Sequence, residues 1–194
     1  MNELRARNLR TIAALAGLFL LPLIASFVLY YGLRWSPAGT TNHGELISPA
    51  RPLPRPPLVD AAGNRVNDAF RGHWTLVYVG DGTCDRGCRD TLYFMRQTRL
   101  SLNQDMTRVN RVFLMTGTGR PDRAFLEREH PGLVLLDATG PASQPLLAQF
   151  PPGRDQALFI VDPLGNLMMR YDARLTPRGL LDDLSQLLRL SHIG

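Results

Sequence analysis

The stretch from Thr11 to Leu33 reads TIAALAGLFLLPLIASFVLYYGL and holds no charged residue. Crossing a hydrocarbon core of about 30 Å takes about 20 apolar residues in a helix, so this segment reads as one transmembrane helix over 11–33. Arg5, Arg7 and Arg10 precede it, and Tyr30, Tyr31 and Trp35 close it. Amphipathic aromatics suit a membrane–water boundary, and an excess of Arg on one flank keeps that flank in the cytoplasm. The expected topology is a single-pass protein of a bacterial inner membrane, with residues 1–10 cytoplasmic and the remainder periplasmic. A cleaved signal sequence is the rival reading. Its apolar region is shorter, about 7–15 residues, and ends at a small-residue cleavage site. Here the run is longer and ends in Tyr-Tyr-Gly-Leu-Arg-Trp, which favours an uncleaved anchor. Pro22 falls within the span, where a membrane helix tolerates it.

Residues 34–57 are rich in Pro, Gly, Ser and Thr and include ARPLPRPP. That composition predicts an extended tether, with a folded domain over 58–194. LVDAAGNRV reads as a small hairpin. Trp74–Gly80 (WTLVYVG) is a continuous apolar run, as in a central strand buried on both faces. Thr91–Leu102 has helical apolar spacing. RVFLMT (111–116) and LVLLD (133–137) read as strands, and DRAFLERE (122–129) and QPLLAQF (144–150) as short helices. ALFIVDPLGNLMMRYD (157–172) is two apolar runs around a turn, a hairpin. Thr176 and Pro177 open a final helix with an apolar stripe of Leu180, Leu181, Leu184, Leu187 and Leu188. A β-α-β unit followed by a hairpin and a closing helix predicts an α/β, thioredoxin-like mixed sheet flanked by helices.

A domain of this size buries a core without disulfide staples, which frees Cys84 and Cys88 for chemistry. They lie in Gly80-Asp81-Gly82-Thr83-Cys84-Asp85-Arg86-Gly87-Cys88-Arg89, between a buried strand and a helix. A helix N-terminus favours thiolate over thiol, and Arg86 and Arg89 push the same way. The i, i+4 spacing suits a disulfide or the chelation of one soft metal ion. A static disulfide would gain little from so short a loop. Zinc would need two further ligands, and none is close in sequence. All 22 basic residues are Arg and the formal net charge is +5. They are scattered, without a basic stripe interleaved with aromatics, which argues against nucleic-acid binding.

On these residues the domain resembles the Sco/SenC proteins, membrane-anchored thioredoxin-like factors that help insert copper into cytochrome c oxidase. The shared features are the N-terminal anchor, a Cys-x3-Cys after the first long strand, and a hairpin on Val161-Asp162-Pro163-Leu164-Gly165. The resemblance implies Cys84 and Cys88 as copper ligands and a respiratory oxidase subunit or its assembly factors as partner. In that family a histidine just before the hairpin completes the site. Here the region reads Gly153-Arg154-Asp155-Gln156-Ala157, without a histidine. His73 should lie over 20 Å from the cysteines, seven strand residues at about 3.3 Å each. His130 is expected on the opposite rim, and His43 and His192 on the surface. Two thiolates alone suit Cu(I) better than Cu(II), so any copper bound is expected to be cuprous. Asp81, Asp85 and Asp90 are expected to face solvent or cap the helix.

Three functions compete. The first is Sco-like assistance to oxidase copper-centre assembly, by Cu(I) carriage or by reduction of the target's thiols. The second is a periplasmic thiol–disulfide oxidoreductase without a metal role, Cys84 attacking and Cys88 resolving. It lacks the usual Cys-x2-Cys and a Pro at the strand entry, where Gln156 and Ala157 stand. The third is a non-catalytic scaffold of the same fold. A peroxidase is disfavoured, because no Thr and Arg surround a single nucleophilic cysteine.

Overall fold

The computed structural model describes residues 2–32, 41–151, 153, 157–172, 177–191 and 193–194. The chain divides into two units, residues 1–41 and 42–194. The first contains helix α1 (Asn2–Phe27), continued by a π-helical turn at Val28–Gly32. Residues Arg7–Gly32 are long and apolar enough to cross a membrane. The helix begins well before the expected Thr11, since the polar residues ahead of it are adequate helix formers in water. Leu33 and Trp35 lie outside the described residues.

The second unit is built on an eight-stranded sheet. Its strands are β1 (Glu45–Pro52), β2 (Leu58–Asp60), β3 (Arg65–Val66), β4 (Trp74–Gly80), β5 (Val109–Met115), β6 (Leu133–Asp137), β7 (Ala157–Val161) and β8 (Asn166–Tyr171). Their order across the sheet is β1-β8-β7-β4-β5-β6-β2-β3. Strands β4, β5 and β6 run parallel, whereas β7 and β8 are antiparallel to their neighbours. Helices α2 (Arg86–Ser101), α3 (Arg123–Glu129), α4 (Gln144–Leu147) and α5 (Pro177–Leu190) accompany it.

Strand β4 sits at the centre, and every one of its residues is buried. Side chains alternate across a strand, and the two faces feed two cores. Tyr78, Phe113, Leu158 and Tyr171 share one core with Leu92 of α2 and Leu180 and Leu184 of α5. Val77, Val79, Val112 and Phe159 share the other with Leu146, Leu147 and Phe150. Each fully buried aliphatic or aromatic side chain is worth about 1.5–3 kcal/mol relative to exposure. Tyr78 and Phe113 meet edge to face at 5.1 Å within the first of these cores.

The two expected hairpins form around carboxylates. Asp60 accepts the N–H groups of Ala62 and Asn64, and Gly63 takes φ +88°. Asp162 accepts the N–H groups of Leu164 and Asn166, and Gly165 takes φ +88°. The thioredoxin-like mixed sheet with flanking helices therefore stands as expected.

The tether expected over 34–57 is the main difference. Residues from 42 onward belong to the folded unit, and Glu45–Pro52 pairs with β8 across an irregular register. Leu53 is buried. Proline weakens a strand by removing a ladder donor, but at a sheet edge the outward side asks for none. The Pro-rich composition signalled an edge strand as much as a linker. Helix α2 also starts earlier than the apolar spacing from Thr91 indicates, because its first turn is fixed by the Asp85 cap and gives the core only Cys88. Thr176 lies outside the described residues.

Candidate redox and metal-binding site

Strand β4 ends at Gly80, and the chain turns through Asp81–Asp85 into α2. Asp85 is the N-cap, its carboxylate accepting the backbone N–H of Cys88 at 2.9 Å. This satisfies one of the free N–H groups of the first turn and is worth about 1 kcal/mol. Cys88 is thus inside the first turn of α2, whereas Cys84 precedes the cap. Cys84 adopts φ +46°, in the left-handed region that side chains other than glycine seldom occupy. That turn brings its sulfur back over the helix, and the two cysteines form a disulfide with Cα atoms 5.0 Å apart. The pair is not helical at both ends, as simple i, i+4 spacing would have it. The cap and the left-handed residue together do what the spacing alone would not.

Both cysteines are buried, at 6% and 2% exposure, in the core that contains Tyr78 and Leu92. Arg89 donates from Nε to the carbonyl of Cys84 at 3.3 Å, and its guanidinium lies 4.6 Å from the Phe125 ring centroid. Its recorded contacts therefore go to the backbone of the loop and to α3.

Asp81 is exposed, as expected, and its carboxylate is bonded as well. One carboxylate oxygen accepts the N–H and the hydroxyl of Thr83, at 2.8 and 2.7 Å. The other accepts the N–H of Gly119, 38 residues away, at 3.1 Å. The bonds from Thr83, with that from Gly119, hold its carboxyl below the ordinary carboxylate value. Asp90 is exposed.

The histidines are scattered. His73 immediately precedes β4, at the end remote from the cysteines. His130 caps the C-terminus of α3 and is buried. Desolvation, with Arg96 and Arg111 nearby, lowers its pKa to about 4, so it is neutral at physiological pH. His43 is not loose: Asp183 of α5 accepts its backbone N–H at 2.8 Å and pairs with its Nδ1 at 3.1 Å. His192 and residues 154–156, where the resemblance would place a histidine, lie outside the described residues. Among the described residues no three His, Cys, Asp or Glu side chains gather as a metal site. What this donor set can hold is an ion content with two soft thiolates, once the disulfide is reduced.

Two features were not legible beforehand. The Asp81–Gly119 contact had only the local runs Gly80-Asp81-Gly82-Thr83 and Thr116-Gly117-Thr118-Gly119 to announce it. The Asp183 network links positions 140 residues apart and had no sequence signal.

Residues 74–191 match the family model described as transmembrane-like, thioredoxin-like, C-terminal domain. Solved structures share the fold. Yeast Sco1 with copper bound is 17% identical, covering 74% of this chain and 95% of its own, with a TM-score of 0.62. Apo Sco1 from Thermus thermophilus is 20% identical, covering 77% and 99%, with a TM-score of 0.61. A thiol:disulfide interchange protein from Bacteroides sp. is 19% identical, covering 74% and 91%, with a TM-score of 0.53. No curated protein matches the chain significantly. At these identities the likeness establishes the fold.

Proposed function

The chain belongs to the family of transmembrane-like, thioredoxin-like C-terminal domains, and from that premise we propose that it is a membrane-tethered dithiol protein assisting assembly of a respiratory oxidase copper centre. The carrying observation is the Cys84–Cys88 disulfide at the strand–helix junction of a Sco-like fold. The apolar N-terminal helix supports an anchor. In this reading the anchor lies in a bacterial inner membrane, its N-terminus cytoplasmic, and the domain works in the periplasm, where disulfides persist.

Reduction of the disulfide by two electrons and two protons yields two thiols, Cys84 and Cys88. Their thiolates bind one Cu(I) as cargo, releasing two protons. Alternatively they pass the same two electrons to a disulfide on the partner, Cys84 attacking and Cys88 closing the ring again. The helix N-terminus bearing Cys88 stabilises a thiolate in either case. Soft two-sulfur ligation selects Cu(I) over Cu(II).

The thiol–disulfide oxidoreductase without a metal role is the second reading. It is favoured by the fully formed disulfide and by the lack of a third ligand among the described residues. Anaerobic titration of the reduced full chain in detergent with Cu(I), against a competing chelator, separates the two. One equivalent bound, lost in Cys84→Ser and in Cys88→Ser, is the expected result. No binding by a pair that still cycles with glutathione would leave the oxidoreductase. If both serine variants preserved oxidase assembly in cells, the domain would be a scaffold.

A further inference from the structure

Three groups converge on the carboxylate of Asp81, the N–H and hydroxyl of Thr83 and the N–H of Gly119. Besides Thr83 and Gly119, its own backbone carbonyl accepts the N–H of Cys84 at 3.3 Å. Three glycines make this approach possible. A Cβ on Gly117 or on Gly119 would collide with the Asp81 carboxylate, and one on Gly82 would collide with the carbonyl of Gly119. None of these three has the positive φ that would itself demand glycine. Their lack of a side chain serves close contact between the loop after β4 and the loop after β5. Between Asp81 on one side and the Asp85 cap on the other, Thr83 and Cys84 have both flanks held. Cys84 is the residue in that interval with the left-handed backbone.

We propose that Asp81 is a positioning residue for the dithiol, fixing the loop after β5 against the loop after β4 so that Cys84 stays in the turned conformation that presents its sulfur to Cys88. This rests on the dithiol reading given above and adds the device that shapes it. A ring closed by a pre-shaped loop loses little freedom on closure, so the clamp favours disulfide over dithiol. Carboxylate charge beside the sulfurs is a different effect. It would also oppose thiolate formation, and it would not need Gly119.

The test is the equilibrium of the full chain, in detergent, with glutathione buffers of stated ratio, read by alkylation of free thiols. Asp81→Ala and Gly119→Ala should each move the equilibrium about tenfold toward the dithiol, the size expected when a left-handed side chain is released. Gly119→Ala leaves the charge in place and drives the loops apart. The double variant should move no further than either single one, since both break one contact. Gly117→Ala, whose Cβ would also meet the Asp81 carboxylate and which likewise keeps the charge, should repeat the shift if Gly119→Ala disturbs folding as judged by circular dichroism. Variants within about twofold of wild type would overturn the proposal. So would a shift in Asp81→Ala that neither Gly119→Ala nor Gly117→Ala reproduces, which would mark a charge effect. A wild-type pair that fails to cycle would sink the redox reading with it. A wild-type pair that cycles beside unshifted variants sinks only the positioning role.

Discussion

Asp81 and Asp183 each gather backbone from a distant part of the chain, one at an exposed loop beside the cysteines and the other on the buried face of α5. Asp183 is 6% exposed. It accepts the backbone N–H groups of His43 and Gly44, at 2.8 and 3.0 Å, together with the Tyr171 hydroxyl and His43 Nδ1. Burial pushes its carboxyl up, yet the bonds from Tyr171, Gly44 and His43 outweigh that and leave it below the ordinary value. Burial and the adjacent Asp183 push the Tyr171 hydroxyl far up, so it remains a donor. Asp81 makes comparable bonds in water. A buried acceptor that is removed leaves its donors without partners, whereas exposed donors turn to solvent. Asp183 should therefore govern whether the N-terminal segment stays folded, and Asp81 only how a few residues are shaped.

The largest effect should follow Asp183→Ala, which strands Tyr171 Oη and two backbone N–H groups. A loss of about 3 kcal/mol is expected in denaturant unfolding, with the glutathione equilibrium of the cysteines unchanged. The deficit should depend on pH. The folded-state pKa lies below that of the unfolded chain. The carboxylate's contribution is therefore present above the ordinary carboxylate range and is lost as pH falls through the folded value. Wild type and variant should converge in strong acid. A redox shift as large as that of Asp81→Ala would erase the contrast between the two sites.

His130 offers an intermediate case. It is buried beside Arg96 and Arg111 and shifted to about 4. Arg111 is itself lowered to about 10 by burial and by Arg99 and Arg96. Their recorded hydrogen bonds go to backbone carbonyls: Arg96 to Glu129, Arg99 to Val109 and Arg111 to Pro131. For a histidine with a depressed folded pKa, the unfolded chain binds the proton first. Stability is full above 6.5 and declines as pH falls toward about 4. His130→Phe should flatten the thermal-melting profile across that window. An unchanged slope would mean that His130 is protonated in the fold.

The contrast also shows what a sequence can announce. Strand β4, the Asp162 hairpin and the stripe of α5 were legible because periodicity and turn chemistry are local. Glu45–Pro52 was not, since proline reads alike in a linker and on a sheet edge. The cysteine pair was legible as a pair, but its shape was not. That shape depends on Gly119, which reaches Asp81 only after β4 and β5 have paired.

The smallest expected effect separates the two carboxylates that flank Cys84. Asp85 caps α2 through Cys88, so Asp85→Ala should cost about 1 kcal/mol in unfolding. Asp81→Ala removes bonds from exposed groups that water can replace and should cost less than that in the same measurement. For the dithiol the order reverses. The cap acts on Cys88, which the helix holds in place through its other backbone bonds, whereas Asp81 acts on Cys84, which lies outside the backbone ladder of the helix. Asp85→Ala should therefore melt earlier than Asp81→Ala yet move the glutathione equilibrium less. Finding both orders the same would mean that the redox balance merely follows the stability of the first turn of α2.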